Sequence, residues 1–431
     1  MKKLIIAILS CMVLPAVAQK ADSLTLEKAI ELALENNYGI VIAGKNLEVS
    51  QTNNAWGNTG ALPTVSFNGS GSKQWNWADD DDYTNNQLSG TVDVNWVVFR
   101  GFSARIQKKR LEELEKLSQG NLSITVENTI VDVILSYYTI LLEQKKTFIA
   151  RQNMELSNDR YAREQRKKEL GNVETYELLQ AQNAYLEDKS DYLLAESNYR
   201  NAVRQLNYLM AEPLGQRYTF ISTFSPETSE FEYDNLVAKM KSNNNTLRNQ
   251  YLNLEIARLE VKSAKSAYYP TISATASGGY SGSETDYATL NERDMDNSGY
   301  NTRAGLSMTY SIFEGGTRKR AVQVARVQET IANVETREME QTLENQLAQE
   351  FDLYEVRKEL LHLSQENLKA AKLNFELTQK KFENGSINSF NYRDVQQIYL
   401  NAALKNQNAI YSLVQSYHTL MRLTGGILDI Y

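Results

Sequence analysis

Two periodicities divide the chain. Val92, Val94, Trp96 and Val98 alternate with Asp93, Asn95 and Val97. Ala304, Leu306, Met308, Tyr310 and Ile312 alternate with Arg303, Gly305, Ser307, Thr309 and Ser311, and Ile272, Ala274, Ala276 and Gly278 with Ser273, Thr275 and Ser277. A period of two predicts strands with one apolar and one small-polar face. The stretch 65–77 alternates more weakly and ends in Trp75 and Trp77. Elsewhere the period is seven: Val126, Val133, Ile140, Thr147, Met154 and Tyr161 in the first half, and Tyr354, Leu361, Leu368, Phe375 and Phe382 in the second. Sustained heptads predict long helices packed as coiled coils.

The last helical segment carries two seams. One runs through Leu400, Leu404, Tyr411, Val414, His418 and Met421, the other through Tyr399, Ile410, Leu413, Tyr417 and Leu420. Two stripes predict neighbours on both sides, as in a closed ring; the alternative is one wide core-facing surface in an ordinary bundle. From 103 to 168 there is no proline and a single glycine, Gly120, so a continuous helix there spans about 100 Å. The segments 174–210 and 23–56 would span about 55 and 50 Å. One long helix therefore matches two shorter ones stacked end to end. Pro63 and Pro270 mark helix-to-strand switches, and Pro213 and Pro226 fall in a connector.

The halves are copies of one another. Asn46-Leu47-Glu48-Val49 reappears 207 residues on as Asn253-Leu254-Glu255-Ile256. From Phe99 the spacing is 214: Phe99-Arg100-Gly101 matches Phe313-Glu314-Gly315, Gly171 matches Gly385, and Gln182, Tyr185 and Leu186 match Gln396, Tyr399 and Leu400. The difference falls around 77–86 and 281–300, polar stretches suited to exposed loop tips. The predicted organisation is a signal peptide over 1–18; a first repeat over 19–211 with a β-hairpin at about 64–99 and a helical hairpin at about 103–210; and a connector over 212–235. A second repeat follows over 236–424, with hairpins at about 271–313 and 317–424, then a tail over 425–431.

Composition narrows the function. The 431 residues hold 5 Pro, one Cys and 2 His, with 46 basic against 53 acidic side chains. An acidic balance without a basic block argues against nucleic acid, and so few soft ligands leave no zinc or iron–sulfur centre. Lys2-Lys3, an apolar stretch from Leu4 to Leu14, and Ala16-Val17-Ala18 read as an export signal with a cleavage site. Its removal takes Cys11 with it; the alternative is that Ile8-Leu9-Ser10-Cys11 marks Cys11 as a lipid attachment site, although the apolar stretch before it is short for one. No run of 18 apolar residues marks a membrane-spanning helix.

Small polar residues facing apolar ones over about ten positions is the pattern of a membrane β-barrel. A soluble sheet with one wet face alternates in the same way. Four strands do not close a barrel, and an open edge is not tolerated in lipid. If these strands span a membrane, several chains must close one barrel together.

The duplicated helix–hairpin–helix layout carries a resemblance. So do the junctions Leu62-Pro63-Thr64-Val65-Ser66 and Tyr269-Pro270-Thr271-Ile272-Ser273 and the turns Phe99-Arg100-Gly101 and Phe313-Glu314-Gly315. The most specific segment is Lys381-Phe382-Glu383-Asn384-Gly385-Ser386-Ile387-Asn388-Ser389-Phe390, followed by Asp394-Val395-Gln396-Gln397. With these residues the mature chain resembles the outer-membrane efflux protein family, the TolC-like channels. The first tip departs from the pattern, with Lys168 in place of the aromatic but Gly171-Asn172-Val173 retained.

The resemblance implies a mostly α fold with a small membrane β part. Long antiparallel coiled-coil hairpins form a periplasmic α-barrel tunnel, continuous with a β-barrel closed by oligomerisation, four strands per chain. It further implies a homotrimer in outer-membrane lipid, serving as the exit duct of a tripartite efflux or type I secretion system. An inner-membrane pump supplies substrate through a periplasmic adaptor (membrane fusion) protein. No cofactor and no covalent chemistry are implied. A periplasmic coiled-coil scaffold or adaptor without a pore shares the heptads but has no use for four amphipathic strands.

On that resemblance the tips, Gly171, Asn172, Val173, Gly385, Ser386 and Ile387, are expected to meet the adaptor, although both glycines also serve simply to reverse the chain. A tunnel open at its periplasmic end would leak, so a resting gate is expected near the tips, where family members place acidic rings six and nine residues past the second tip glycine; the alternative is that the acidic position is an ordinary surface carboxylate. Those positions are Asn391 and Asp394, one helical turn apart on one face. Three residue groups suggest other chemistry and fall short of it. The stretch 39–46 approaches a phosphate-binding loop, but Asn46 stands where a Ser or Thr is required and the segment reads as helix. His418 lies on a heptad seam, far in sequence from His362, and reads as packing. Asp79-Asp80-Asp81-Asp82 lacks the spaced ligands of a calcium loop and reads as a solvated tip.

Overall fold

The computed structural model describes residues 22–77, 82–170, 174–221, 224, 226, 228–287 and 295–429. The expected signal peptide, the first-repeat tip residues Gly171, Asn172 and Val173, and Asp79 to Asp81 lie outside them.

Each half runs from a pair of helices into a β-hairpin and then a helical hairpin. The first comprises β1 (Asp22–Leu24), α1 (Leu26–Asn36), α2 (Tyr38–Asn53), β2 (Thr64–Asn76), β3 (Tyr83–Arg100), α3 (Ser103–Glu169) and α4 (Thr175–Leu209). After β4 (Tyr218–Phe220) the second comprises α5 (Tyr233–Asn243), α6 (Asn245–Ser266), β5 (Thr271–Tyr287), β6 (Met295–Thr309), α7 (Thr317–Glu383) and α8 (Ser389–Leu423). The strands after Pro63 and Pro270 form one antiparallel sheet in the order β2-β3-β5-β6, leaving β2 and β6 as its edges. The connector is more ordered than its sequence suggests: β4 pairs in parallel with β1, and α5 begins within it. The tail is also built in, since Ile427 is fully buried in the first core.

The long helices α3 and α7 have 67 residues each, and α4 and α8 have 35 each. Both long helices start from a left-handed turn, Gly101-Phe102 in one half and Gly315-Gly316 in the other. At Gly101 a Cβ would collide with the Ser266 carbonyl, so the chain needs glycine there for close approach as well as for its φ. Gly120 is tolerated inside α3 because α6 packs tightly over it: any Cβ would run into the Asn249 side chain. That side chain instead donates to Asn121 Oδ1 at 2.8 Å.

The segment expected as one entering helix is two helices in each half. It breaks at Asn37 and at Asn244, where ψ turns to 125° and 115°. Each asparagine caps the helix that follows: Asn37 Oδ1 accepts from the Gly39 and Ile40 amides, and Asn244 Oδ1 from the Leu247 amide. Each also donates its Nδ2 to the last turn of a returning helix, Asn37 to the Leu209 carbonyl at 2.8 Å and Asn244 to the Leu423 carbonyl at 3.0 Å. So α2 stands end-on to α4, and α6 end-on to α8. Two short helices in line then equal one long helix.

The side-by-side order follows from the contacts. Towards the sheet, α6 lies between α3 and α7; away from it, α8 takes that place. Both seams of α8 are therefore used, with Leu400, Ile410, Leu413, Val414 and Leu420 all buried. Two cores sit where the helix ends meet. In the first, Leu24, Ile30 and Ala33 pack on Ile134 and Ile140 of α3, and the Tyr137 hydroxyl donates to the Leu24 carbonyl at 2.9 Å. In the second, Leu236, Met240 and Leu247 pack on Leu347 and Tyr354 of α7. The outer flanks stay uncovered: α2 buries no residue, and Val324, Val327, Ile331, Leu353, Leu360 and Leu377 form an exposed apolar line along α7.

His418 is buried in α8 beside Tyr417, which agrees with a packing role. Burial pushes its imidazole down to about 4 from 6.5. The neutral form is the one the fold accepts, so stability is complete above pH 6.5 and falls as pH drops towards 4. The full loss is about 3 kcal/mol. Thermal unfolding at pH 7 and pH 4.5 should show His418→Gln losing less midpoint than the parent; equal losses would remove His418 as a cause.

Candidate functional site

The strand registers decide which residues share a face. Val65 pairs with Val94, Phe67 with Val92 and Gly71 with Leu88; Val94 pairs in turn with Ala276, and Ala276 with Ala304. The apolar set of all four strands thus lies on one side. None of the described residues covers it: Phe67 is 73% exposed and Leu306 75%. From Tyr300 to Tyr310 this face runs ten residues, about 33 Å along the strand. At a tilt near 40° that is about 25 Å, the height of the apolar band of an outer-membrane barrel. Aromatics mark both margins. Tyr280 and Tyr300 stand at one, with Trp75 beyond them, and Trp96, Phe102, Tyr269 and Tyr310 at the other, all exposed. Phe102 and Tyr269 also pack edge-on with Phe99, and Trp96 Nε1 donates to the Ala61 carbonyl at 2.8 Å, fixing the junction of sheet and helices.

The opposite face is made of small polar side chains. Ser70 and Ser89 hydroxyls meet at 2.7 Å, and Asn68 donates to Asp93 at 2.8 Å.

At the far end of the helices the second tip is a tight reversal. Gly385, at φ 72°, ends α7 with two bonds: its amide donates to the Phe382 carbonyl at 3.0 Å, and the Ser386 amide to the Lys381 carbonyl at 2.8 Å. Asn388 then caps α8, accepting from the Asn391 amide at 2.9 Å. Ile387 is half-buried and Ser386 exposed. Phe382 stacks on Tyr392 with ring centres 4.5 Å apart, which ties the two arms together just behind the turn. Asn391 and Asp394 both point out of the hairpin as exposed side chains on one face of α8.

Between them, on the packed side, Arg393 makes a contact that the sequence pattern does not announce. It grips Asp188 of α4 with two bonds of 2.7 Å, and Asp188 is buried. Asn153 of α3 donates to the same carboxylate at 2.7 Å and accepts from Arg393 at 3.2 Å and from Gln396. The cluster fixes the start of α8, and with it Asn391 and Asp394, to the first helical hairpin. Burial, and after it the neighbouring Arg393, hold the Arg160 guanidinium below its ordinary range, against the pull of Asp188 and Glu164. The repeat match of Gln182 to Gln396 was the available signal, but Arg393 and Asp188 correspond to Leu179 and Ala402 and so leave none.

The other candidate chemistry resolves simply. The stretch 39–46 is inside α2 and not a loop. Among the described residues no group of three or more His, Cys, Asp or Glu converges as a metal site. One described helix, α3, has a window apolar and long enough to cross a membrane, and half of that window is buried inside the molecule.

Known proteins agree with this architecture. A family model described as outer membrane efflux protein matches residues 29–212 and 236–426. The outer membrane protein TolC of Escherichia coli is 30% identical over 131 residues, 28% of this chain and 26% of TolC, so that match spans about a quarter of the relative's length. Among solved structures, the Campylobacter jejuni CmeC outer membrane channel superposes with a TM-score of 0.79 at 18% identity, covering 93% of this chain and 85% of that one. The open-state MtrE outer membrane channel of Neisseria gonorrhoeae gives 0.72 at 17% identity, covering 94% and 89%. At those identities the likeness is one of fold.

Removing Asp188 strands a mostly buried guanidinium, which costs about 3–5 kcal/mol. Asp188→Ala should therefore lower the thermal midpoint sharply, and Asp188→Leu with Arg393→Met should recover most of the loss. If Asp188→Ala unfolds like the parent, the ion pair does not hold the hairpins together.

Proposed function

The chain belongs to the outer membrane efflux protein family, and on that footing we propose that three copies close into one exit duct for substrates handed over from an inner-membrane pump. The observation that carries the reading is the pair of unpaired edges, β2 and β6, on a sheet that is apolar outside and polar inside. In hydrocarbon those edge groups need partners, and another copy supplies them. Two copies would give eight strands, whose interior side chains fill; three give twelve and leave a wet lumen. The apolar line on α7 and the uncovered α2 and α4 flanks extend the same head-to-tail contact along the helices, where Leu179, Leu186 and Leu193 of α4 are exposed.

In this reading residues 1–18 direct export and are removed. The first repeat (19–211), connector (212–235) and second repeat (236–424) each contribute to a periplasmic tunnel below an outer-membrane barrel. The chain performs no covalent chemistry; it provides a path. Asn391 and Asp394 line the periplasmic mouth, Asp394 as a ring of three carboxylates that attracts cations and Asn391 as a neutral ring. The tips Gly171, Asn172, Val173, Gly385, Ser386 and Ile387 meet a periplasmic adaptor. Substrate choice belongs to the pump.

The purified protein should be a trimer in mild detergent and conduct in planar bilayers, with Asp394→Asn relieving block by multivalent cations added on the helical side. A monomer without conductance, the behaviour of a periplasmic scaffold, would sink the duct; unchanged block would remove Asp394 from the mouth. At the tip, Ile387→Glu should abolish export from cells while trimer level in the outer membrane stays the same. A fall in folded trimer instead would make Ile387 a structural residue.

A further inference from the structure

The polar face of the sheet is nearly free of charge. Its positions are the even residues of β2, the odd residues of β3 as far as Val97 and then Arg100 beyond the register shift, and the odd residues of β5 and β6. Among the described strand residues these are Ser, Thr, Asn, Gln and Gly, with Tyr83, Tyr287, Val97 and Met295, and three charges: Asp93 and Arg303 within the sheet, and Arg100 at its helix end, opposite Thr271. The other strand charges, Lys73, Glu284, Asp286 and Asp296, lie on the opposite face, beyond Tyr280 and Tyr300 at the margin of the apolar band. Asp93 and Arg303 share one rung, since both pair with Ser277 of β5. They stand two strands apart, about 9.5 Å by strand spacing. Asp93 is anchored by Asn68 at 2.8 Å, while Arg303 is exposed, with Gly305 next to it on the same face.

We infer that Asp93 and Arg303 form the charged girdle of the barrel lumen and set its ion selectivity. The inference rests on the ring proposed above, which turns the polar face inward and repeats the pair in each copy. Two features make the girdle matter. Among the described strand residues the only other charge on this face, Arg100, lies six β5 positions away at the helix end, about 20 Å and more than two screening lengths, so Asp93 and Arg303 dominate the field at their own rung. Their spacing is close to the Debye length at physiological salt, about 8 Å, so neither charge cancels the other for an ion passing near it. A permeant carrying both signs meets both partners on one rung, whereas a simple ion meets one attraction and one repulsion. The balance gives the parent channel weak selectivity, with two opposed contributions hidden inside it.

The test measures reversal potential under a potassium chloride gradient with the full-length protein in planar bilayers. Asp93→Asn should shift selectivity towards anions and Arg303→Gln towards cations, and the double variant should return near the parent. Both single shifts should shrink in 1 M salt, where the screening length is about 3 Å. Arg303→Cys repeats the loss with a residue that tolerates modification. A cationic thiol reagent should restore the parent value and an anionic one push further towards cations, so the arm on Arg303 decides even if Asp93→Asn does not assemble. Conducting trimers in which Arg303→Gln and Arg303→Cys leave the reversal potential unmoved overturn the girdle while leaving the duct intact. A parent protein that does not conduct at all overturns the duct itself.

Discussion

Every backbone N–H and C=O withdrawn from water needs a partner, and this fold meets that demand in two ways. At the helix ends it does so internally. Asn37 pairs two amides of one helix and Asn244 one, and each also pairs a terminal carbonyl of another helix, so the two helices butt together through shared partners. At the sheet edges the chain does not do so internally, and β2 and β6 remain open. The first solution makes a rod as long as α3 out of shorter pieces. The second leaves a sheet whose apolar face cannot sit in lipid until something pairs with both sides. The rest of the architecture lies between these joints.

Much of this was legible in the sequence because the signals are strong and local. Period two and period seven separate sheet from helix, and Pro63 and Pro270 sit immediately before β2 and β5. Gly385 lies where α7 ends. What was missed depends on distant partners. An asparagine inside a helical pattern costs little by propensity, so the breaks at Asn37 and Asn244 come from helix ends 172 and 179 residues away. The strands β1 and β4 have three residues each, too short for any period to show. Asp188 looks like a solvated helix residue; it is buried because α4 packs on α3, α8 lies against α3 at that level, and Arg393 of α8 reaches over to it. Of the candidate site, the turn at Gly385 and the shared face of Asn391 and Asp394 were readable, and the Arg393 anchor behind them was not.

The two halves share a plan and differ in detail. The left-handed residue after the returning helix is Gly425 in one half and Ala211 in the other, and the one that opens the long helix is Gly316 or Phe102. A Cβ at 425 would press on the Asn243 backbone, so one copy keeps glycine for space as well as conformation. The buried ion pair has no counterpart: in the repeat match Arg393 and Asp188 correspond to Leu179 and Ala402, which carry no charge.

The long helices have the same length, 67 residues, and so do the returning ones, 35. Both hairpins start from one sheet, so their ends reach a common level. That ties the two halves of the gene together in evolution. A heptad gained or lost in one hairpin would leave a step of about 10 Å between the tips, and the returning arm of that hairpin would no longer meet its asparagine. Changes of reach must therefore come in matched pairs, in four helices at once, which makes the length of this protein far harder to alter than its surface.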